Sequence, residues 1–148
     1  MDSKAPHEKA PAQDISSQCS KAINTHRILF AHMSVGNDIL AGLSLAAAAV
    51  QEQVAIQEIN AGASPAGGGS AGISHFKIGS NAQPLKKIAD FREFLFSNNN
   101  GLAFDLVGMK LCYVDIKQKT DIQAVMREYA ALVRDVTARY PHIKFVHF

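Results

Sequence analysis

The sequence predicts a three-layer α/β/α domain on an open parallel sheet. Two observations carry that prediction. Ile28-Leu29-Phe30-Ala31 is a short continuous apolar run bounded by polar residues, the pattern of a strand buried on both faces. Beyond it, segments with helical apolar spacing alternate with further short apolar runs, and such alternation gives parallel strands joined by right-handed crossovers. The chain has 148 residues, 47% of them hydrophobic and 19% charged, enough for one packed domain.

Residues 1–24 hold Lys, Ala, Pro, Ser and Gln without a period and read as a disordered leader; residues 25–148 read as the domain. The strand at Ile28–Ala31 stops at His32-Met33-Ser34-Val35-Gly36. After it Ile39, Leu43, Ala46, Ala47, Val50 and Val54 recur at helical spacing, and the alanines suit a helix packed close to a sheet. Val54 to Ile59 reads as a second strand. Asn60 to Gly72, dominated by Gly, Ala, Ser and Pro, reads as a surface loop and rim.

His75 to Ile78 reads as a short extended piece ending at Gly79-Ser80-Asn81. Pro84 opens a helix whose Leu85, Ile88, Phe91 and Leu95 share a face, and Asn98 to Gly101 stop it. Leu106 to Val114 reads as the strongest strand. Thr120 and Gln123 have capping-box spacing ahead of a long stripe from Ile122 to Tyr140, and Pro141 ends that helix. Ile143 to Val146 forms the last strand.

A net charge of +2 is too even to imply nucleic acid as a partner, and Ile39 to Val50 is too short for membrane insertion. Two cysteines make no disulfide framework, and Cys112 reads as a buried thiol. No histidine pair has zinc-ligand spacing, so neither metal nor another cofactor is implied. The leader carries no apolar signal segment. As written the chain reads as cytoplasmic, or as periplasmic or secreted if a signal peptide was removed.

Ligands of open parallel sheets bind beyond the carboxyl ends of the strands, where strand order reverses. Ser34 falls there, directly before a helix, where free N–H groups favour an anion. Its hydroxyl can cap the helix or attack a carbonyl. Gly79 and Asn81 fall at the same edge and supply an N–H and an amide NH2, the donors an oxyanion needs.

The block His32-Met33-Ser34-Val35-Gly36, with Ile78-Gly79-Ser80-Asn81 and Cys112-Tyr113-Val114-Asp115, resembles the SGNH/GDSL hydrolases, in particular a bacterial branch with a His-x-Ser-Val-Gly start. The likeness covers about residues 27–148. It implies a flavodoxin-like fold and a serine ester or acyl hydrolase with Ser34 as nucleophile and a Gly79/Asn81 oxyanion hole. Asp115 stands near the family's third-block asparagine. An ionised carboxylate donates no hydrogen bond, so Asp115 is protonated, or Asn81 is the donor, or Asp115 caps the segment that follows. His32-Met33 replaces the Gly-Asp before the serine. The family's C-terminal Asp-x-x-His has no counterpart, so by this likeness the final strand and helix are missing and the incomplete sheet edge invites self-association. The chain then reads as a fragment of a hydrolase, a protein completed by another chain, or a descendant that no longer catalyses.

Other histidines are candidate bases. His7 lies in the leader, and His26 and His142 precede strands at the opposite edge. His147 ends the last strand at the serine's edge but two strands away, roughly 10 Å by strand spacing. His32 lies two residues before Ser34, and His75 can approach from the loop. Two functions follow: a hydrolase of a small ester or acylated substrate, carbohydrate included, or a non-catalytic module that holds an anion or acetylated carbohydrate at the Ser34 helix start.

Overall fold

The structure, a computed structural model, describes residues 12–62, 65 and 69–148. Helix α1 (Ala12–Thr25) leads into strand β1 (Arg27–His32), followed by α2 (Ser34–Ala49), β2 (Ile56–Glu58) and β3 (Gly72–Lys77). Then come α3 (Pro84–Phe96), a 3-10 segment (Ser97–Ala103), β4 (Leu106–Met109), a short 3-10 turn (Tyr113–Asp115), α4 (Ile122–Arg139) and β5 (Lys144–Val146). The five strands pair in the order β2-β3-β1-β4-β5, every pair parallel. The expected α/β class with a parallel sheet is what forms.

Alternation along the central strand β1 separates two apolar layers. Leu29 and Ala31 face Ile88, Phe91 and Leu95 of α3 and Val125, Leu132 and Val136 of α4. Phe30 faces Leu40 of α2, with Ile73, Ile23 and Leu43 against it. The first layer is the larger and holds Phe91 at 0% exposure; truncating such a side chain to alanine costs about 3–5 kcal/mol.

Several boundaries differ from the sequence reading. Residues 12–24, expected in the leader, lie in α1; residues 1–11, His7 among them, lie outside the described residues. Polar bonds to distant residues hold α1: Ser17 Oγ donates to Glu52 at 3.0 Å, while the Asn24 amide donates to the Gln53 carbonyl and accepts from the Ala55 N–H. Ile23 adds an apolar contact with the Phe30 layer, so α1 is an amphipathic helix docked on the domain. The extended piece at His75 is a full strand, β3, lying directly beside β1, whereas the expected second strand shrinks to three residues at the sheet edge.

The run from Leu106 leaves the sheet after Met109, so the Cys112–Asp115 motif is a turn rather than a strand end. Asp121, not Thr120, caps α4, accepting from the Ala124 N–H at 2.9 Å; Thr120 Oγ1 donates to the Asp115 carbonyl instead. Leu85 is 44% exposed, and Lys87 takes a place on the buried face of α3. In the expected loop from Asn60 to Gly72, residues 63, 64 and 66–68 lie outside the described residues. Cys112 is a buried free thiol and Cys19 an exposed one. Among the described residues no helix is long and apolar enough to cross a membrane.

Candidate functional site

The chain moves from β1 through α2 to β2 at one edge and back to β3 beside β1, then crosses through α3 to β4 on the other side. Strand order therefore reverses at β1, and its carboxyl end is the position where such sheets bind ligands. Two bonds define that edge. The Ile78 N–H donates to the His32 carbonyl at 3.0 Å, and the Lys110 N–H donates to the Ala31 carbonyl at 2.9 Å. The segments carrying Ser34, Gly79 and residues 110–115 thus depart from neighbouring strands at one level.

Ser34 is the first residue of α2 and is exposed. The preceding Met33 occupies the cap position without a side-chain capping bond, and its carbonyl accepts from the Gly36 N–H at 2.7 Å. First-turn N–H groups have no intrahelical acceptor, so this end of α2 carries partial positive charge toward solvent. The serine is not spent as the cap.

Gly79 has φ +57°, the left-handed region, and a Cβ there would lie 2.7 Å from Lys87 Cγ. Both constraints ask for glycine. Asn81, exposed, places Oδ1 3.4 Å from Lys87 Nζ. Asp115 Oδ2 accepts from Lys87 Nζ at 2.7 Å and from the Cys112 N–H at 2.6 Å, and its Oδ1 accepts from the Ala82 N–H at 2.9 Å. Both side chains of the Lys87–Asp115 ion pair are 0% exposed. Asp115 acts as an acceptor throughout, braces the loop after β3, and caps its own 3-10 turn rather than α4.

His32 and His75 form a buried pair. His32 Nδ1 is 2.7 Å from the Met33 carbonyl and its Nε2 is 3.0 Å from His75 Nδ1. Ring contacts continue the stack, with centroids 4.9 Å apart for Phe30–His32 and 5.1 Å for His32–His75. Burial lowers the His75 pKa below the ordinary imidazole value; the neighbouring His32 and Lys77 add to this, and Glu58 opposes it. Among the described residues no histidine ring is hydrogen-bonded to Ser34. His147 turns to α4, where its Nδ1 is 2.9 Å from the Tyr129 hydroxyl and its ring stacks on Phe145. Helix α2 covers the other face of the sheet.

A cavity of about 370 Å³ adjoins Gly79, lined also by Lys77, Asp90, Glu93 and Asn98. The residue that the sequence reading missed is Lys87. Its signal was present: positions 84, 87, 88, 91, 94 and 95 make one buried stripe, and a lysine on such a stripe needs a buried carboxylate. Among the described residues no three His, Cys, Asp or Glu side chains cluster as a metal site.

No family model matches the chain, and neither a curated protein nor a solved structure matches it. Functional interpretation therefore rests on the motifs and the geometry at the β1 edge.

Proposed function

We propose that the Ser34 turn is the reaction centre of a serine ester or acyl hydrolase of the SGNH/GDSL type. The observation that carries this is an exposed serine, not used as a cap, on the first turn of α2 at the carboxyl end of the central strand. Gly79 and Asn81, one strand over, supply an N–H and an amide donor. In the reaction Ser34 Oγ bonds to the substrate carbonyl carbon, whose oxygen takes the negative charge and receives those donors. Collapse breaks the bond to the leaving alcohol, which departs with a proton, and water later releases the acid from Ser34.

The Ser34 proton needs an acceptor. With no imidazole bonded to Ser34 among the described residues, solvent takes it in this chain alone, and turnover lacks the roughly 10²–10⁴-fold that general-base help provides. An aryl phosphonate, which traps nucleophilic serines, tests the reading. Mass spectrometry is expected to find one adduct on Ser34 and none in Ser34→Ala. An unmodified native chain after prolonged exposure overturns it.

The same missing imidazole bond favours a second reading, a module that holds an anion or acetylated carbohydrate at the start of α2 without cleaving it. Calorimetric binding of acetate or an acetylated sugar, recovered unchanged and with no phosphonate adduct, is its signature.

A further inference from the structure

We propose that Lys87 is a positioning residue for Asn81: together with Asp115 it turns the Asn81 amide donor outward and fixes the loop that carries Gly79. The inference rests on the hydrolase reading of Ser34 for its consequence, though not for its geometry. A lysine ammonium only donates, so the Asn81 atom facing Lys87 Nζ at 3.4 Å is the carbonyl oxygen. The NH2 end is then directed away from the buried ammonium, on an exposed residue at the edge where Ser34 lies.

The same side chain shapes the backbone. Its stem lies where a Cβ on Gly79 would go, 2.7 Å from that position, and so forms the wall against which the left-handed Gly79 rests. Asp115 grips the other end of the segment through the Ala82 N–H at 2.9 Å while holding Lys87 Nζ at 2.7 Å. One ion pair therefore sets the Gly79 wall, the Asn81 amide and the Ala82 backbone together. Stability alone gives little reason for it, because apolar residues of similar volume commonly serve a buried site as well or better than an ion pair.

The experiment uses the full chain with Asn81→Ala, the paired change K87M/D115N, and their combination. The pair is neutralised jointly because Lys87→Met alone strands a buried carboxylate. Lys87→Gln, which can still donate to Asp115, serves as the second variant where the paired change fails to fold. Two readouts are taken: the phosphonylation of Ser34, split into maximal rate and reagent affinity, and the 15N-resolved Asn81 side-chain amide signals.

Removal of one oxyanion donor slows such chemistry by about 10²–10³-fold. Asn81→Ala and K87M/D115N are each expected to slow the maximal rate about 10²-fold with reagent affinity within about twofold, and the combination to be no slower than Asn81→Ala. The Asn81 amide signals should shift in K87M/D115N and in Lys87→Gln. Unchanged signals, or losses that multiply in the combination, overturn the proposal. A native Ser34 that never reacts ends the hydrolase reading instead, and the amide signals then decide the role of Lys87 by themselves.

Discussion

His32 Nε2 lies 3.0 Å from His75 Nδ1, and the Met33 carbonyl fixes which nitrogen gives the proton. A carbonyl can only accept, so His32 Nδ1, 2.7 Å from it, carries a hydrogen. In a neutral His32 that leaves Nε2 as a lone pair, and His75 Nδ1 must donate to it. The two rings thus make a one-way chain that ends on the backbone immediately before Ser34. Adding a proton to His75 puts a charge into a buried stack.

Acid should therefore weaken the fold through His75. Its folded pKa is lowered, so between that value and the unfolded imidazole value near 6.5 the unfolded chain binds the extra proton. The contribution is complete above about pH 6.5 and is lost as pH falls through the folded value. Urea midpoints measured at pH 7.5 and 5.5 should drop on acidification, and the drop should shrink in His75→Gln. Equal drops in both proteins would assign the effect to other groups.

Gly36 is where this stack meets α2. A Cβ on Gly36 would fall 2.1 Å from His32 Cγ, a ring atom with no freedom to move aside. Gly36→Ala should cost about 1–3 kcal/mol, the usual range for overpacking, despite the better helix propensity of alanine. On a His32→Gly background, which removes the ring and also the His32 Cβ that would lie 2.4 Å away, the clash disappears, so the two substitutions should couple by about 1 kcal/mol or more. Additive losses in chemical denaturation would mean that the ring and helix separate easily.

At the opposite edge, Asp105 ties the amino ends of β1 and β4 together. Its carboxylate accepts from the Arg27 N–H at 2.9 Å and pairs with the Arg27 guanidinium, which holds its pKa down to about 2. The two side chains are 32% and 34% exposed, so solvent screens the pair, and Asp105→Asn should cost only about 1 kcal/mol. The sign is that of a depressed carboxylate: the stabilisation is present above about pH 4 and is lost as pH falls toward 2. Native chain and Asp105→Asn should therefore converge in thermal stability at low pH. A constant gap from pH 7 to 2 contradicts this.

Sequence pattern reached the layers and the edge but not the connections. Ile28–Ala31 and the alanine-rich stretch behind Ser34 are local signals, and they located β1, α2 and the serine between them. Gly79 was legible as a turn glycine because it follows an apolar run. What escaped were relationships between distant residues: Asn24 to Gln53 and Ala55, His32 to His75, and Lys87 to Asp115. A side chain's partner has no local period. Asp115 read alone looked like a misplaced oxyanion donor, and only its buried ammonium partner shows it to be an acceptor.

The last prediction separates Ser34 from the remaining candidate base. His147 is held at 2.9 Å by the Tyr129 hydroxyl and stacks on Phe145, among residues of the α3/α4 layer. Ser34 begins the helix of the other layer. Hydrolysis of an aryl acetate should therefore be slow in the native chain and unchanged within about twofold in His147→Ala, since general-base help worth about 10²–10⁴-fold is absent from both. Imidazole added to the buffer can take the Ser34 proton from outside. It should raise the native and His147→Ala rates alike, beyond its own background reaction, and should do nothing more than that background in Ser34→Ala. Equal imidazole responses in all three proteins remove Ser34 from the chemistry. A rate that collapses in His147→Ala as well as in Ser34→Ala shows that the β5 terminus swings to the serine and that the Tyr129 bond is broken during turnover.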